Sequence, residues 1–476
     1  MPGQGRRAGS RCRLRPASCG LSRTDCRTCR CCAARSRRRG GSMNDTLRNI
    51  DFDHLPVATQ VGRLIGVSGI LLQATGYPFE TGANARIETA SGEWIDARVV
   101  GFRDDVTQLM PFRAPAGLFA GARVMPAGAG RQLTIGAAWR GRIVDGMGEP
   151  FDGGGPLTGD APLDLRPPRI NPMKKRPVAG VLDVGVRAIN GMLTIGRGQR
   201  VGLFAGSGVG KSVLLGMITR QTAADVVVVG LIGERGREVR EFVEHALGPD
   251  GMRKAIVVVA PADESPLMRL MATELCHAIA AHFRDRGDNV LLLVDSLTRY
   301  AMAQRELALA LGEPPATKGY PPSVFGMLPA LVERAGNGEG SGSMSAIYTV
   351  LAEGDDEQDP VVDTARAILD GHIMLSRELA AQGHYPAIDV TRSVSRCMSL
   401  VASSAQCAAA SELKDLLSRH VQVRDLIPLG GYVAGADPAT DRAVELHPRI
   451  AAFLSQAQGD AAPYDDTVAQ MLALLE

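Results

Sequence analysis

The chain of 476 residues has few aromatic residues, at 4% of the total, and only nine cysteines. Six of the cysteines lie within the first 42 residues, and the other three, Cys276, Cys397 and Cys407, are far apart in the sequence. That usage argues against a disulfide framework and favours a reducing cytoplasm. No apolar run approaches the ~18–20 residues that a membrane-spanning helix needs. We therefore expect a globular chain, long enough for two or three domains.

The first 42 residues contain a single acidic residue, Asp25, and twelve arginines. The net charge of the whole chain is +2, so the part that begins at Met43 carries −9. The segment has no apolar core, which excludes a secretory signal. Cys26 and Cys29 have the spacing of one ligand pair of a zinc knuckle, but the segment has no second ligand pair with zinc-site spacing. The arginines could contact nucleic acid, but no aromatic platform accompanies them. We expect a disordered tail, or residues upstream of a true start at Met43.

A glycine-rich stretch in the middle of the chain is typical of a phosphate-binding loop. The apolar run Val201–Phe204 predicts a buried strand, and a helical pattern begins after Ser212. Glycines allow successive backbone N–H groups to point at phosphate oxygens, Lys211 can reach the β- and γ-phosphates, and the Ser212 hydroxyl can bind Mg²⁺. Ala205 stands where the common pattern has its first glycine, and the alternative interpretation is a plain tight turn. The predicted loop residues are Gly206, Ser207, Gly208, Val209, Gly210, Lys211 and Ser212.

Strands and helices alternate from about residue 169, which predicts a parallel sheet covered by helices. The strand Val226–Ile232 is followed by Glu234, and the strand Val290–Val294 ends in Asp295. Carboxyl ends of parallel strands meet at one sheet edge, so Asp295 is expected beside Mg²⁺ and Glu234 beside the attacking water. The alternatives are that Asp295 caps the next helix and that Glu234 forms a surface ion pair with a neighbouring arginine.

The segments on either side of this core have different patterns. Residues 61–125 contain short alternating strands broken by glycines, which predicts a small β-barrel. That region lacks interleaved basic and aromatic residues, so we expect no nucleic-acid partner. Residues 141–156 predict a turn-rich crossover. The C-terminal part, 401–476, has a helical pattern in which Pro448 is expected to end or kink a helix.

The chain resembles the rotary-type ATPases, which include the ATP synthase β-subunits and their secretion-system relatives. The resemblance lies in three motifs that occur in this order: GSGVGKS, GERGREV (233–239) and LLLVDSLTRYA (291–301). Gly312–Phe325 is similar to the family's segment after the Mg²⁺ carboxylate. Glu353–Pro360 and Leu369–His372 resemble the type III export ATPases, and Asp183–Asn190 most resembles their flagellar branch.

The resemblance implies a role for individual residues. Glu234 matches the catalytic glutamate and Lys211 the lysine of the phosphate loop. Arg396, in Ser393–Arg396, matches the arginine finger that reaches into a neighbouring subunit's site, and Tyr385 matches the tyrosine that packs on adenine. A finger supplied by a neighbour requires a head-to-tail ring, and the family implies a homohexamer.

The resemblance also implies the organisation of the chain. After the tail of residues 1–42 we expect an N-terminal docking segment and β-barrel over 43–135. A RecA-like α/β ATPase domain with a parallel sheet and a P-loop follows over 136–400, and a C-terminal helical domain over 401–476.

The implied function is ATP hydrolysis, with Mg²⁺, in the flagellar type III protein export apparatus. The implied partners are a stator-like regulatory protein at the N-terminus, a central stalk-like protein, the membrane export gate and substrate–chaperone complexes. The expected location is cytoplasmic and peripheral at the inner membrane. The alternatives are a virulence secretion ATPase, a non-catalytic nucleotide-binding ring subunit and an RNA translocase.

Overall fold

The computed structural model describes residues 60–127, 132–168, 170–351 and 359–476. The expectations for the tail 1–42, for the docking segment up to residue 59 and for most of the motif Glu353–Pro360 lie outside these residues.

Six antiparallel strands near the start of the described chain form a closed barrel in the order β1-β2-β5-β4-β3-β6. Alternate side chains of these strands, such as Leu72, Ile87 and Leu109, fill the barrel interior and are fully buried. This alternation is the period-2 pattern of a strand with one buried face, so the predicted small barrel is confirmed. The strands are β1 (Gly62–Ser68), β2 (Leu71–Thr75), β3 (Asn84–Glu88), β4 (Trp94–Arg103), β5 (Val106–Pro111) and β6 (Arg123–Pro126).

The centre of the molecule is an eight-stranded sheet in the order β16-β15-β10-β14-β13-β11-β12-β8. Seven strands are parallel and only β16 runs antiparallel to its neighbour, as expected from alternating strands and helices. A separate two-stranded pair joins β7 to β9. The strands are β7 (Thr134–Ile135), β8 (Ile143–Asp145), β9 (Ala161–Pro162), β10 (Arg200–Ala205), β11 (Val226–Ile232), β12 (Ala255–Ala260), β13 (Asn289–Asp295), β14 (Ser343–Leu351), β15 (Gly371–Leu375) and β16 (Ile388–Ser395).

Strand β8 lies within the predicted turn-rich crossover of residues 141–156. Its three residues pair in parallel with β12, for example Val144 with Val258, and extend the main sheet at its edge. A three-residue edge strand between turns is too short to show a periodic pattern in the sequence.

Helices cover both faces of the main sheet and form the C-terminal region. The α-helices are α1 (Arg187–Met192), α2 (Lys211–Gln221), α3 (Gly236–Glu241), α4 (Gly248–Met252), α5 (Pro266–Asp285), α6 (Leu297–Ala310), α7 (Pro322–Val332), α8 (Pro360–Ile368), α9 (Arg377–Ala381), α10 (Met398–Val401), α11 (Ser404–Arg424), α12 (Pro438–Leu454) and α13 (Tyr464–Leu472). A π-helical segment, Phe242–Leu247, connects α3 to α4, and 3₁₀ turns occupy Ala137–Trp139, Pro172–Lys174 and Thr317–Gly319.

Local signals place several helix ends. Ser265 accepts a hydrogen bond from the N–H of Met268 and precedes Pro266, so it is the N-cap of α5. Asp437 caps α12 in the same way. The sequence predicts that Pro448 ends or kinks a helix. Pro448 does not end the helix, because α12 continues through it to Leu454. Packing of Ile450, Phe453 and Leu454 into the core supplies the stabilisation that outweighs the lost backbone hydrogen bond.

Apolar contacts join the barrel to the sheet domain. Leu71, Met110 and Phe112 of the barrel region pack against Leu267 and Met271 of α5. The hydroxyl of the cap residue Ser265 also donates a hydrogen bond of 2.7 Å to the carbonyl of Phe112. The barrel is therefore anchored at the start of a helix that lies directly on the central sheet. Within the described residues no helix is both long and apolar enough to span a membrane.

Candidate active site

The predicted phosphate loop connects β10 to α2 at the carboxyl edge of the sheet. Its backbone turns through Gly208, at φ +79°, and Gly210, at φ +88°, which are conformations that favour glycine. Ala205 is buried as the last residue of β10, so an alanine at this position fits the strand. Gly210 is the N-cap of α2, and the first N–H groups of that helix face the loop with the positive end of the helix dipole. This is the backbone geometry of an anion-binding loop.

Lys211 lies between two carboxylates that come from different strands. Its ammonium group donates hydrogen bonds to Oδ1 of Asp295, at 2.6 Å, and to Oε1 of Glu234, at 3.2 Å. β11 and β13 are parallel neighbours with Leu231 opposite Asp295, so their carboxyl ends place both acids beside the loop. Three residues from distant motifs therefore meet in one cluster.

Burial and mutual charge set the protonation of this cluster. Burial alone would lower the pKa of Lys211, but the charges of Asp295 and Glu234 outweigh it and raise that pKa, so the lysine stays cationic. Burial raises the pKa of Asp295, and Lys211 offsets part of this effect. Burial also raises the pKa of Glu234, with a further contribution from Glu238. A carboxylate with a raised pKa at a strand end is well suited to accept a proton from water.

Thr349 is a site residue that the sequence analysis missed. Its hydroxyl donates a hydrogen bond of 2.6 Å to Oδ1 of Asp295, the oxygen that also accepts from Lys211. Thr349 is fully buried near the end of β14, which lies beside β13 in the sheet. The sequence carries no signal for this contact, because the distance between β13 and β14 in the sequence does not determine which strands are neighbours in the sheet.

Arg299 is a second residue that the motifs did not identify as part of the site. It lies in the first turn of α6. Gly233 packs closely against it, because a β-carbon added to Gly233 would be 3.1 Å from the Cβ of Arg299. The Nε of Arg299 is buried without a hydrogen-bond partner in the described part of the chain. The guanidinium lies beside the strand end that carries Glu234, and its Nη1 donates to the sulfur of Met302 at 3.7 Å.

Tyr385 lies on the other side of the phosphate loop. Its ring packs on Gly210, where a β-carbon would be 3.6 Å from Cε1 of the tyrosine. The residue is 46% exposed, although its hydroxyl donates to the carbonyl of Ala380. An exposed aromatic face next to the end of the phosphate loop is a suitable surface for a flat nucleotide base.

Arg396 lies at the opposite edge of the sheet from this cluster. It follows β16, and its backbone N–H donates to the carbonyl of Asp370, which in turn pairs with Arg200 at the start of β10. The phosphate loop follows the end of that strand, so the two are separated by the length of β10, roughly 17 Å at about 3.3 Å per residue. The side chain is exposed, and its Nη2 donates to the carbonyl of Arg366. The structure does not bring Arg396 to the site of its own chain.

Ser212 and Asp295 together provide the oxygen donors that Mg²⁺ prefers. Ser212 is exposed on the first turn of α2, and Asp295 is a buried carboxylate at the end of β13. Among the residues that the structure describes, no group of three or more histidine, cysteine or acidic side chains forms a metal cage. An Mg²⁺ ion that is held mainly by substrate phosphates and water needs only a few protein ligands. Ser212 and Asp295 therefore fit Mg²⁺ as a cofactor.

The fold and the site define the class of P-loop nucleotide hydrolases. The defining features are a parallel sheet, a glycine-rich loop that begins a helix, and acidic residues on the neighbouring strand ends. Residues 185–395 match the family model of the ATP synthase alpha/beta family, nucleotide-binding domain, and residues 402–473 match that of the T3SS EscN ATPase C-terminal domain. The chain belongs to the ATP synthase alpha/beta family and is an ATPase.

Curated relatives cover most of the chain. The flagellum-specific ATP synthase of Pseudomonas aeruginosa is 52% identical over 418 residues, which are 87% of this chain and 93% of the relative. The protein of the same name from Salmonella typhimurium is 53% identical over 426 residues, with the same shares covered. The type 3 secretion system ATPase of Xanthomonas euvesicatoria is 45% identical over 415 residues, which are 87% of this chain and 94% of the relative.

Solved structures of EscN, from the type III secretion system of enteropathogenic E. coli, have the same fold. The assembled ATPase EscN is 40% identical with a TM-score of 0.82, and EscN in complex with its central stalk EscO is 39% identical with a TM-score of 0.80. Each comparison covers 87% of this chain and 100% of the EscN chain. The predicted combination of N-terminal barrel, parallel-sheet ATPase domain and helical C-terminal region is confirmed.

Proposed function

We propose that this ATPase energises protein export by the flagellar type III apparatus, where its turnover supports release of export chaperones and delivery of substrates to the export gate. The observation that carries this proposal is the contact of Lys211 with both Glu234 and Asp295 beside a glycine-rich loop. The flagellum-specific names of relatives above 50% identity support the choice of machine.

The chain's own residues divide the work of hydrolysis. Loop N–H groups from Gly206 to Ser212 and the ammonium group of Lys211 bind and orient the phosphates. Glu234 orients the attacking water and accepts its proton, as its raised pKa allows. Tyr385 packs against the base. Ser212 and Asp295 are the residues that would hold Mg²⁺, which would supply neutralisation of the phosphate charge.

A decisive test is Glu234→Gln, which removes the proton acceptor but keeps the shape of the side chain. We expect kcat to fall by about 10²–10⁴-fold, the contribution typical of a general base, while ATP binding is retained. Glu241→Gln is the matched control, because Glu241 is an exposed acid whose contact is an i,i+4 ion pair with Arg237. Equal phosphate release by wild type and Glu234→Gln would remove Glu234 as the catalytic residue and would favour a subunit that binds nucleotide without turnover.

The position of Arg396 supports a ring in which neighbouring copies complete each site. The guanidinium cannot reach the phosphates of its own chain across the length of β10, yet it is exposed at the opposite sheet edge. In a head-to-tail homohexamer that edge faces the phosphate loop of the next protomer, where a cation stabilises charge that develops on the γ-phosphate. EscN has been solved as an assembled ATPase, which supports an assembled state for this chain.

A central stalk-like protein is the partner with the most direct support, because EscN is known in complex with its central stalk EscO. In this chain the connection between α11 and α12 exposes the apolar side chains of Leu426, Leu429 and Val433, with Leu429 80% exposed. Exposed apolar residues in one segment are typical of a contact surface. We propose this segment as the stalk-facing surface of the ring.

The remaining partners and the location follow from the proposed machine. They are a stator-like regulatory protein at the N-terminal segment, the export gate and substrate–chaperone complexes. The protein would act in the cytoplasm, bound peripherally at the inner membrane.

We propose domain boundaries at 43–135, 136–400 and 401–476.

The second candidate is a virulence secretion ATPase with the same chemistry, which the relative from Xanthomonas euvesicatoria favours. Deletion of the gene distinguishes the two functions. Loss of flagellar filaments and motility is the expected result, whereas normal motility with loss of secreted virulence proteins would assign the chain to the second machine.

A further inference from the structure

Gln456 is a buried polar residue far from the motifs of the site, and the mechanism above does not use it. It follows α12 directly, in the connection to α13, and is 5% exposed. Its side-chain amide donates hydrogen bonds to the carbonyls of Gly185, at 2.8 Å, and Asp460, at 2.7 Å, while its Oε1 accepts from the N–H of Arg187 at 2.8 Å. The side chain thus fixes its loop to the segment that leads into α1.

The backbone of the same loop holds Tyr385. The N–H of Gln456 donates to the carbonyl oxygen of Tyr385 at 2.9 Å, and the Ser455 hydroxyl donates to that oxygen at 3.3 Å. Arg187 strengthens the junction, because its Nη1 donates to the carbonyls of Phe453 and Ser455 at the end of α12. A cation at a helix C-terminus is favoured by the helix dipole.

We propose that Gln456 is a positioning residue for Tyr385, through which the C-terminal helical region sets the affinity for the nucleotide base. The inference rests on the proposed packing of Tyr385 on adenine. Tyr385 is half-exposed and its ring lies against Gly210 of the phosphate loop, so the orientation of the ring depends on the backbone that carries it. That backbone is held by a loop whose own place is fixed by the Gln456 side chain.

The test uses Gln456→Met in the full-length chain, since methionine keeps the volume and removes the three side-chain hydrogen bonds. We expect the KM for ATP to rise about three- to tenfold, the effect of one lost net hydrogen bond, with kcat within about twofold of wild type. Affinity for inorganic tripolyphosphate, which has no base, is expected to stay within about twofold. Gln458→Met is the matched control, because Gln458 is exposed two residues further on.

A double-mutant cycle with Tyr385→Ala shows whether Gln456 acts through the tyrosine. Gln456→Met in the Tyr385→Ala background should weaken ATP binding no further. Additive effects, an equal loss of tripolyphosphate affinity, or an unchanged KM in Gln456→Met would each overturn the positioning role. Unchanged ATP affinity in Tyr385→Ala would instead refute the adenine contact itself and, with it, the inference. A thermal unfolding curve of each variant confirms that the comparison is made between folded proteins.

Discussion

Lys211 links the two acidic side chains of the site, and much of the site's electrostatic balance depends on this one ammonium group. Both acids are removed from water, and burial raises the pKa of each. A buried carboxylate without its cation is costly, so substitution of the lysine affects the fold as well as the ligand. Residue-scale predictions must therefore separate binding from stability.

Lys211→Ala is expected to weaken ATP binding by about 100-fold or more, equivalent to about 2.7 kcal/mol, because a charge-assisted contact to phosphate is lost. Isothermal titration with ATP and Mg²⁺ measures the effect. Lys174→Ala provides the control, since Lys174 is an exposed lysine in a surface ion pair with Glu339. Retained affinity in Lys211→Ala would contradict the assignment of the phosphate loop.

Thr349→Val is expected to lower the free energy of unfolding by about 1.5–3 kcal/mol, because a buried hydrogen bond to a charged group is lost. The apparent affinity for Mg²⁺ in the ATPase reaction should also fall, since Asp295 loses the hydroxyl that fixes its orientation. Thr349→Ser keeps the hydroxyl and should restore the Mg²⁺ response. If Thr349→Val titrates with Mg²⁺ like wild type, Thr349 has only a structural role.

At the scale of elements, the C-terminal helices α11 and α12 meet through two stacked histidines. The rings of His420 and His447 are 3.5 Å apart between centroids and nearly parallel, at 9°. Burial lowers the pKa of both side chains, and Arg424 nearby lowers them further. Arg424 is itself paired with Glu378 and Asp425.

The stability of this helix pair is therefore expected to depend on pH. The unfolded chain binds protons at these histidines near pH 6.5, while the folded chain resists them, so stability falls as the pH drops below about 6.5. Thermal unfolding between pH 7.5 and 5.5 measures the effect. The double variant His420→Phe/His447→Phe keeps the stacking and should lose part of this acid sensitivity, whereas His245→Phe, at an exposed histidine, should not. Equal acid sensitivity in the double variant and wild type would argue against a destabilising role for the pair.

At the scale of the whole molecule, Arg396 is separated from its own phosphate loop, and the proposed arginine finger would therefore act in the site of a neighbouring chain. Arg396→Ala should bind ATP normally but hydrolyse it about 10³-fold or more slowly, as for other arginine fingers. If the proposed finger comes from a neighbouring chain, activity should also depend on protein concentration.

A mixing experiment tests this arrangement directly. Arg396→Ala and Glu234→Gln should each be nearly inactive alone, but random mixed rings contain complete sites in up to roughly a quarter of positions. Recovery of phosphate release on mixing is the expected result, measured at a fixed total concentration. A mixture as inactive as its components would place both residues in one chain's site, in conflict with the position of Arg396.

Local chemistry and periodicity in the sequence determined the elements that carry the site. GSGVGKS predicted the strand–loop–helix, and the apolar strands followed by Glu234 and Asp295 predicted acids at one sheet edge, because these patterns are short-range and strongly constrained. Alternating strands likewise predicted the barrel. The roles of Arg396 and Tyr385 came from family resemblance rather than from any pattern in the residues themselves.

Only the tertiary structure decided which distant residues meet. The contact of Thr349 with Asp295 requires β14 to lie beside β13, and the anchoring of Tyr385 by Gln456 joins residues 71 positions apart. The short strand β8 pairs at the sheet edge and α12 continues through Pro448, because packing against the rest of the fold outweighs weak local signals there. Sequence patterns specify the strands, the helices and the chemistry at their ends. Sheet order and side-chain packing are long-range, so they appear only once the chain is folded.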